Sequence, residues 1–352
     1  MASRGYDVLV FPGDGIGPEI IRAAQIVVEA TGVPIRWHEV PMGYESRHLF
    51  EGRPITETHL AAFERFRVLF KGPQTIPPGE TYYVELRGRR FTSPNQALRK
   101  LFNLYVNLRP APRTPGARTR YPNVDLVVIR ENTEDLYTGE ERWIDPDTVE
   151  AVKRVTRQAC RRIVRFAFDY VRQAGRRRLT AVHKANVLKQ SDGLFLSECR
   201  AMAAEYPDVT FDDRLADSLL ADLVVRPEEF DVLLCMNLFG DLISDLAAGL
   251  VGGLGLCPSA NLGDGLALFE PCHGSAPDIA GRNMANPSSQ IRCAAMMLDY
   301  LGEREAAQRI EHALCSVIQE GRWVTRDLGG TAGTQEMAAA VAERVDRPAP
   351  HR

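Results

Sequence analysis

Lysine is scarce in this chain: only 5 of its 43 basic residues are lysines, and the rest are arginines. The basic residues are spread along the chain and are outnumbered by 46 acidic residues, which gives a net charge of −3. Nucleic-acid-binding proteins concentrate positive charge in a patch or stripe, so this distribution argues against nucleic acid as a partner. Because lysines are so few, each one is a candidate for a specific role.

The chain also has no CxxC pair, and no apolar stretch approaches the roughly 20 residues that a membrane-spanning helix needs. Its seven cysteines are scattered, which argues against a disulfide framework or a structural zinc site and favours a reducing compartment. The N-terminal residues enter a strand-like run without the pattern of a signal peptide. We therefore expect a cytoplasmic protein with no membrane partner.

Short β-branched runs alternate with helical patterns along most of the chain, which is typical of an α/β fold with at least partly parallel strands. The predicted strands are Asp7–Phe11, Ile35–Val40, Val68–Phe70, Leu104–Leu108, Asp125–Ile129, Leu179–Val182, Val209–Phe211 and Val232–Cys235. The predicted helices are Pro18–Glu29, Thr56–Phe63, Asn95–Phe102, Thr148–Gln173, Ser191–Glu205, Asp241–Leu250, Pro287–Leu301, Glu303–Glu320 and Gln335–Glu343. Gly252–Gly265, which contains five glycines and a proline, is predicted to be a loop.

Two aspartates, Asp241 and Asp245, lie four residues apart on one face of a predicted helix. Two oxygen ligands from one helix suit a hard divalent cation such as Mg²⁺ or Mn²⁺. The alternative is that Asp241 caps the helix and Asp245 faces solvent, since helix caps are commoner than metal sites. Asp217, just past another predicted strand, is a candidate third carboxylate for the same metal.

Three arginines lie where ligand sites form in α/β proteins. Arg99 is within a predicted helix, and Arg109 and Arg130 directly follow predicted strands. Ligand crevices form at the carboxyl ends of such strands, where three guanidinium groups would bind a small polycarboxylate through bidentate pairs. Taken singly, each arginine is more typical of a surface ion pair.

Lys184 and Tyr137 are candidates for proton transfer, because each follows a predicted strand. A lysine at a crevice acts as an acid or base once burial or a neighbouring cation lowers its pKa. A tyrosine beside it is a plausible proton donor, since the ammonium stabilises the phenolate. The alternative for Tyr137 is an aromatic residue packed in a loop.

Two segments could contact a nucleotide. Gly13–Glu19 follows the first strand but lacks the G-x-G-x-x-G order of a Rossmann loop, so we interpret it as a tight strand-to-helix turn. Glu270–Pro287 is a long loop with polar side chains that could cradle a nucleotide without a Rossmann turn.

Together these segments resemble the β-decarboxylating dehydrogenases, the family of isocitrate and 3-isopropylmalate dehydrogenases, and most of all its NAD-dependent isocitrate enzymes. The resemblance extends from Gly13 to Thr334 and so covers nearly the whole chain. With this resemblance, the metal interpretation of Asp241 and Asp245 replaces the helix cap. The longest shared motifs are Leu98–Pro110, Ile129–Glu134, Ala181–Asn186, Asn237–Asp245 and His273–Pro287.

The resemblance implies an isocitrate/isopropylmalate dehydrogenase-like α/β fold, with two domains around a mixed sheet and no Rossmann domain. A large discontinuous domain would comprise residues 1–103 and 258–352 and carry the cofactor loop. A small domain, residues 104–257, would carry the dimer contact and the metal aspartates. The protein would be a homodimer or higher homo-oligomer with shared active sites, in which Lys184 and Asp217 reach the neighbour's site.

The resemblance also implies roles for individual residues. Asp217, Asp241 and Asp245 would bind Mg²⁺ or Mn²⁺, and Tyr137, Lys184 and Asp217 would form the catalytic set. Lys184 would help to take up the hydroxyl proton as hydride passes to the nicotinamide, and Tyr137 would protonate the enolate carbon. The substrate-binding residues would be Ser93, Asn95, Arg99, Arg109 and Arg130. The cofactor-binding residues would be Thr75, Asn186, Glu270, His273, Gly274, Ser275, Ala276, Asp278, Ile279, Asn286 and Asp327.

Specificity is implied by a few positions. An aspartate at position 278, where NADP enzymes of the family have lysine, accepts hydrogen bonds from the ribose hydroxyls and repels a 2′-phosphate, so we expect NAD. Ser93 and Asn95 resemble the pair that contacts the distal carboxylate of isocitrate, whereas Ile76 departs from the usual threonine. The stretch Gly79–Phe91 looks several residues longer than usual and is either an exposed insertion or a site for a more highly charged group. Its candidate ligands are Tyr82, Tyr83, Arg87, Arg89 and Arg90.

The predicted function is NAD-dependent oxidative decarboxylation of an isocitrate-type 2-hydroxy acid to a 2-oxo acid and CO₂. Isocitrate is the first candidate, and a phosphonate analogue, homoisocitrate, 3-isopropylmalate and tartrate remain open. The alternative of another class is a non-catalytic regulatory subunit. The complete set of Tyr137, Lys184 and the three aspartates argues against that alternative.

Overall fold

A computed structural model describes residues 5–76 and 83–345 of the chain. No helix in this part is long and apolar enough to cross a membrane. The strands are β1 (Tyr6–Phe11), β2 (Ile35–Glu39), β3 (Val68–Lys71), β4 (Val84–Leu86), β5 (Arg89–Phe91), β6 (Val106–Ala111), β7 (Leu126–Glu131), β8 (Glu141–Asp145), β9 (Thr148–Ala151), β10 (Arg178–His183), β11 (Thr210–Leu215), β12 (Val232–Cys235), β13 (Pro258–Gly263) and β14 (Leu266–Pro271). The helices are α1 (Gly17–Glu29), α2 (Glu57–Phe66), α3 (Pro94–Leu101), α4 (Arg157–Gln173), α5 (Ser191–Ala203), α6 (Ala216–Val225), α7 (Asn237–Leu250), α8 (Ser288–Tyr300), α9 (Arg304–Glu320) and α10 (Thr334–Val345).

Ten of the strands form one mixed sheet in the order β11-β10-β12-β7-β6-β13-β14-β3-β1-β2. Both outer parts of the sheet are parallel, whereas β13 pairs antiparallel with β6 and β14, and β6 pairs antiparallel with β7. This order is not that of a Rossmann domain. The predicted α/β fold with a mixed sheet is confirmed.

Helices cover both faces of the sheet, because successive strand residues point to opposite sides. In β1, Val8 and Val10 join a cluster with α1, α4, α5, α8, α9 and α10, whereas Leu9 and Phe11 face α2 and α3. The second face carries two separate apolar clusters, one under α2 and α3 and the other under α6 and α7. The polar site described below joins side chains of α3 to side chains of α7 and so spans these two clusters.

Most predicted elements are present, and two predictions are wrong. The helix predicted for Thr148–Gln173 starts only at Arg157, where the Thr156 hydroxyl accepts a hydrogen bond from the Ala159 N–H and caps it. Residues Thr148–Ala151 instead pair with β8 in an exposed hairpin. The loop predicted for Gly252–Gly265 contains β13, because its glycines flank a run whose Ala260 and Leu262 pack on the core.

The two predicted domains share this sheet. The strands of residues 104–257 occupy one half of the sheet and those of the remaining chain the other half, and β6 and β13 pair across the boundary. The division into two domains stays a prediction.

Candidate active site

The helix that carries Asp241 and Asp245 begins at Asn237, four residues earlier than predicted. Asp241 therefore lies in the second turn, and the alternative that it caps this helix is wrong. Both carboxylates face β6, where Arg109 Nη1 lies 3.2 Å from an Asp241 oxygen and 3.3 Å from an Asp245 oxygen. One cationic group is thus shared by two carboxylates that lie one helical turn apart.

Asp241 also contacts two other predicted site residues, Arg130 and Tyr137. Its Oδ1 accepts a hydrogen bond from Arg130, and its Oδ2 accepts one from the Tyr137 hydroxyl. Burial alone would raise the pKa of Asp241, but Arg130 and Arg109 outweigh burial and lower it. Burial, followed by the bond to Asp241, raises the pKa of Tyr137, so that its hydroxyl keeps its proton.

Arg109 and Arg130 are not surface arginines, since their side chains are only 10% and 1% exposed. Burial, followed by repulsion from Arg109 and Arg99, lowers the pKa of Arg130 to about 9. Within residues 5–76 and 83–345, Arg130 Nη2 and Arg99 Nε are buried without a hydrogen-bond partner. Three mutually repelling guanidinium groups with unused donors are well suited to bind an anion.

A buried row of polar side chains connects Arg109 to the other half of the sheet. Arg109 Nε donates to Asn107 Oδ1 at 2.7 Å, and Asn107 Nδ2 donates to Asn261 Oδ1 at 3.1 Å. Asn261 Nδ2 then donates to Glu270 Oε1 at 2.8 Å. The row runs across β6, β13 and β14, and its two ends also contact helices, because Arg109 bonds to Ser244 of α7 and Glu270 to Arg99 of α3.

Glu270 ends this row between two cations. Its carboxylate lies 2.7 Å from Lys71 Nζ and 3.1 Å from Arg99 Nη2, and Lys71 is fully buried. Burial would raise the pKa of Glu270, but Lys71 and Arg99 lower it to about 2. In this structure Glu270, a predicted cofactor residue, holds Arg99 in place on the cofactor side of the cluster.

The remaining predicted substrate residues lie at the start of α3. Ser93 is its N-cap, and its Oγ accepts a hydrogen bond from the Gln96 N–H. Its hydroxyl proton is therefore still available to a ligand. Asn95 Oδ1 is buried and has no partner in the part of the chain that the structure describes.

Lys184 and Asp217 lie apart from this cluster. Lys184 Nζ is 2.6 Å from Asp217 Oδ1, and the Asp217 side chain is 65% exposed. This hydrogen bond from Lys184 lowers the pKa of Asp217. Among the described residues, no three His, Cys, Asp or Glu side chains are grouped to hold a metal. Asp217, Asp241 and Asp245 therefore do not form such a group within the described part of one chain.

The donor chemistry of Asp241 and Asp245 nevertheless fits Mg²⁺ or Mn²⁺, which prefer carboxylate oxygens. The position of Arg109 between them indicates that the pair is arranged to share one positive group. Burial, the largest effect, and the charge of Asp241 raise the pKa of Asp245, so a bound cation would favour its ionised form. Two carboxylates supply only part of the octahedral shell of such an ion, and the remaining ligands would be water or substrate oxygens or a carboxylate from outside this pair.

Six of the predicted cofactor residues line one cavity of about 400 Å³. They are His273, Gly274, Ala276, Ile279, Asn286 and Asp327. Burial lowers the pKa of His273, whose buried Nε2 has no partner within the described ranges. The rest of the lining was not predicted from the sequence and consists of Ile16, Gly255, Met284, Ala285 and Arg326.

The other predicted cofactor residues lie outside that lining. Thr75 and Ser275 are joined by a hydrogen bond of 2.6 Å between their hydroxyls, which connects the loop after β3 to the loop after β14. Asp278 is exposed on the second loop, beside Ile279. Asn186 is exposed two residues beyond Lys184.

The turn Gly13–Glu19 organises these loops, as its interpretation as a tight turn implies. The buried carboxylate of Asp14 accepts hydrogen bonds from the backbone N–H groups of Tyr44, Glu45 and Thr75. Only glycine fits at position 13, where φ is +77° and a Cβ would lie 2.1 Å from a backbone oxygen. The G-D-G spacing was the available signal for Asp14, but its three partners could not be read from the sequence.

The stretch Gly79–Phe91 is only partly described, and Tyr82 lies outside the described residues. Arg87 is directed towards α2, where its guanidinium lies 2.6 Å from Glu64. The Arg90 guanidinium stacks 3.5 Å from the centre of the Tyr83 ring. Both arginines thus have partners within the protein.

Fold and site together define an α/β protein with a cluster of arginines and carboxylates and a cavity of about 400 Å³ lined largely by the loop after β14. The family profile described as isocitrate/isopropylmalate dehydrogenase matches residues 7–341. The chain therefore belongs to the isocitrate/isopropylmalate dehydrogenase family.

Individual relatives agree with this assignment. The mitochondrial NAD isocitrate dehydrogenase catalytic subunit 5 of Arabidopsis thaliana is 46% identical over 96% of this chain and 87% of its own length. The 3-isopropylmalate dehydrogenase of Methanothermobacter thermautotrophicus is 42% identical over 97% of this chain and 99% of its own. The crystal structure of isocitrate dehydrogenase from Methylococcus capsulatus matches with a TM-score of 0.91 at 47% identity, covering 97% of this chain and 100% of that one.

Proposed function

We propose that this protein catalyses the NAD-dependent oxidative decarboxylation of an isocitrate-type 2-hydroxy acid, with Mg²⁺ or Mn²⁺ as the metal and isocitrate as the first candidate substrate. Oxidative decarboxylation of a hydroxy acid is the activity that its family membership supports. The observation that carries the proposal is the cluster of Arg109, Arg130, Asp241 and Tyr137, with Asp245 beside it.

The arginines would bind the carboxylates of the acid. Arg130 Nη2 and Arg99 Nε are buried donors without partners in the described structure, so a carboxylate that reaches them would restore their hydrogen bonds. Ser93 and Asn95 on α3 would contact the distal carboxylate. A metal bound at Asp241 and Asp245 would supply Lewis-acid polarisation of the substrate hydroxyl and its adjacent carboxylate.

Two groups would handle protons. Tyr137 donates its phenolic proton to Asp241 and has a raised pKa, so it would remain protonated and would give a proton to the enolate carbon. Lys184, paired with Asp217, would help to remove the hydroxyl proton. Because this pair lies apart from Asp241, it would act in the site of a second chain, with Asp217 as the third metal ligand.

The choice of NAD is supported by the exposed carboxylate of Asp278 beside the cavity lined by Ile279, Asn286 and Asp327. A carboxylate there would accept hydrogen bonds from ribose hydroxyls and repel the 2′-phosphate of NADP. The double substitution Asp278→Lys with Ile279→Tyr should shift the ratio of kcat/KM values from NAD towards NADP. Turnover with both cofactors in the native protein and this variant tests that point.

The substrate is decided by assaying NADH formation with purified protein and Mg²⁺ or Mn²⁺ on isocitrate, homoisocitrate, 3-isopropylmalate, tartrate and a phosphonate analogue of isocitrate. The proposal expects isocitrate to have the highest kcat/KM. The engagement of Arg87 by Glu64 and of Arg90 by Tyr83 favours isocitrate over the phosphonate analogue. Turnover of another acid that is orders of magnitude faster would overturn the substrate assignment.

The regulatory-subunit alternative is tested by the same assay on the chain expressed alone. Turnover without any added subunit rejects it, whereas binding of the acid and NAD without turnover supports it. We also propose that the protein is a homo-oligomer and that it is cytoplasmic. Size-exclusion chromatography with light scattering and fractionation of the source cells test them.

A further inference from the structure

Lys153 lies between two buried carboxylates that the proposed chemistry does not use. It follows the hairpin strand β9, and its side chain is only 15% exposed. Its Nζ lies 2.5 Å from Asp192 Oδ1 and 3.5 Å from Asp135 Oδ1, and 5.4 Å from the centre of the Phe239 ring. The side chains of Asp135 and Asp192 are each 1% exposed. One of only five lysines in the chain is therefore placed where two buried negative charges meet.

The second oxygen of each carboxylate holds a different part of the candidate active site. Asp192 Oδ2 accepts a hydrogen bond from the backbone N–H of Lys184 at 2.7 Å. Asp135 Oδ2 accepts one from the backbone N–H of Leu238 at 2.8 Å, in the first turn of the helix that carries Asp241. Both N–H groups would otherwise need another acceptor, since neither lies inside a completed helical ladder.

Asp135 also fixes the segment that carries Tyr137. Its φ is +70°, which is uncommon for a residue other than glycine and has to be maintained by the surroundings. Its backbone N–H donates to the Arg154 carbonyl at 2.8 Å, directly after Lys153. The Lys153 segment therefore contacts the Tyr137 loop through its backbone and the Lys184 segment through the side chain of Asp192.

We propose that Lys153 is a positioning residue that fixes Lys184 relative to the first turn of α7 and the Tyr137 loop. Two buried carboxylates repel each other strongly in a medium of low polarity, and the ammonium between them holds both in the positions that make their backbone hydrogen bonds. Without it, Asp135 and Asp192 move apart. The backbone of Lys184 and the first turn of α7 are then no longer held at a fixed distance from each other. This inference rests on the proposed function, because it concerns the geometry of the proton-transfer groups.

The test compares Lys153→Met, Lys153→Arg and the control Lys189→Met, which removes an exposed lysine five residues beyond Lys184. Lys153→Met should lower kcat by about tenfold to a hundredfold, the effect of displacing a reacting group by about an ångström. The Kd of NADH, measured by fluorescence, should change by less than about twofold, because the cofactor cavity lies among other elements. Lys153→Arg, which keeps the charge, should recover much of kcat, and Lys189→Met should match the native protein.

Three outcomes would overturn the inference. One is native kcat in a folded Lys153→Met variant. Another is an equal loss of kcat and NADH affinity, which would indicate general disruption. The third is a Lys153→Arg variant as impaired as Lys153→Met. If Lys153→Met is insoluble, Asp192→Asn carries the test, since native kcat in that variant also overturns it. A native protein inactive on every acid tested would instead refute the proposed function.

Discussion

The two carboxylate groups of the candidate site have opposite surroundings. Asp241 lies among Arg109, Arg130 and Tyr137, which use both of its oxygens and leave its side chain 32% exposed. Asp217 is 65% exposed, and its charged partner is Lys184, whose side chain is 26% exposed. Asp241 is thus surrounded by side chains of its own chain, whereas the Asp217 carboxylate faces solvent.

This difference supports the proposal that the active site is shared between two chains. Charged side chains that are withdrawn from water are costly unless they are paired, and Arg109 and Arg130 are both paired with Asp241 of α7. The Lys184–Asp217 pair, whose carboxylate is exposed, contributes little to the stability of its own chain. Its presence is therefore explained better by a role in a neighbouring site than by folding. Substitutions at Asp241, Lys184 and Asp217 test whether the two carboxylates differ in this way.

The largest effect is expected for Lys184→Met. Loss of the exposed proton-transfer group should reduce kcat by about a hundredfold to ten-thousandfold, the usual contribution of a positioned acid or base. NADH affinity should stay near the native value, because Lys184 does not line the cofactor cavity. Steady-state turnover and a fluorescence titration measure the two quantities. Unchanged turnover would falsify the role of Lys184.

Mixing two inactive variants tests whether the pair acts across chains. If each site combines Asp241 of one chain with Lys184 of the other, a dimer of one Lys184→Met chain and one Asp241→Asn chain has one intact site and one site with both defects. After the variants are unfolded and refolded together in equal amounts, random pairing in a symmetric dimer should restore about a quarter of native activity. Refolding each variant alone is the control. Activity no higher than that of the controls would show that both halves act within one chain.

Tyr137→Phe should have a smaller effect, because it removes one proton donor and leaves the arginine cluster in place. We expect kcat to fall by up to about a hundredfold if protonation of the enolate carbon limits turnover, and by less if hydride transfer does. Hydride transfer should be affected less, which rapid mixing can follow as the first burst of NADH. A native overall rate would show that another group, or water, supplies the proton.

A fourth prediction concerns the predicted cofactor loops, on which both the Asp241 group and the Lys184 group would depend for turnover. Asp14 accepts three backbone N–H bonds, and asparagine at this position can keep two of them at most, through one oxygen. Asp14→Asn should weaken NADH binding by about tenfold, since a buried donor left without a partner costs about that much in affinity. Asp231→Asn is the matched control, because Asp231 accepts the N–H groups of Arg177 and Arg178 at the opposite end of the sheet. Equal NADH affinity in both variants would contradict a link between Asp14 and the cofactor loops.

Sequence patterns predicted the buried strands and the composition of the site better than its connections. The strand Val232–Cys235 is a continuous apolar run and was predicted with its correct ends, whereas β14 was not predicted although four of its six residues are apolar. The hairpin Glu141–Ala151 was missed because its residues are exposed and carry no apolar alternation that distinguishes strand from helix.

Contacts between distant parts of the chain were not predictable in this way. Lys71 and Glu270 are 199 residues apart, and they meet only because β3 and β14 are neighbours in the sheet. Asp217, Asp241 and Asp245 were predicted together because all three are carboxylates, but they are not grouped in the described part of one chain. A sequence shows which ligands exist, whereas sheet order and the surface that a second chain would cover decide which of them meet.

The smallest predicted effect uses acid to compare the two carboxylates. Arg130 and Arg109 lower the pKa of Asp241 in the folded protein, so its ionised form stabilises the fold at pH values above the ordinary value of 3.8. This contribution should disappear as the pH falls from 3.8 through the lowered pKa. Asp241→Asn should therefore lower the free energy of unfolding by about 1–3 kcal/mol at neutral pH, with a difference from the native protein that shrinks below pH 4. Asp217→Asn, the exposed counterpart, should change it immeasurably at either pH. Urea denaturation at pH 7 and pH 3 measures the free energy of unfolding of both variants. Equal destabilisation by the two substitutions would contradict the difference between Asp241, which is paired within its own chain, and Asp217, which we propose to act in the site of another chain.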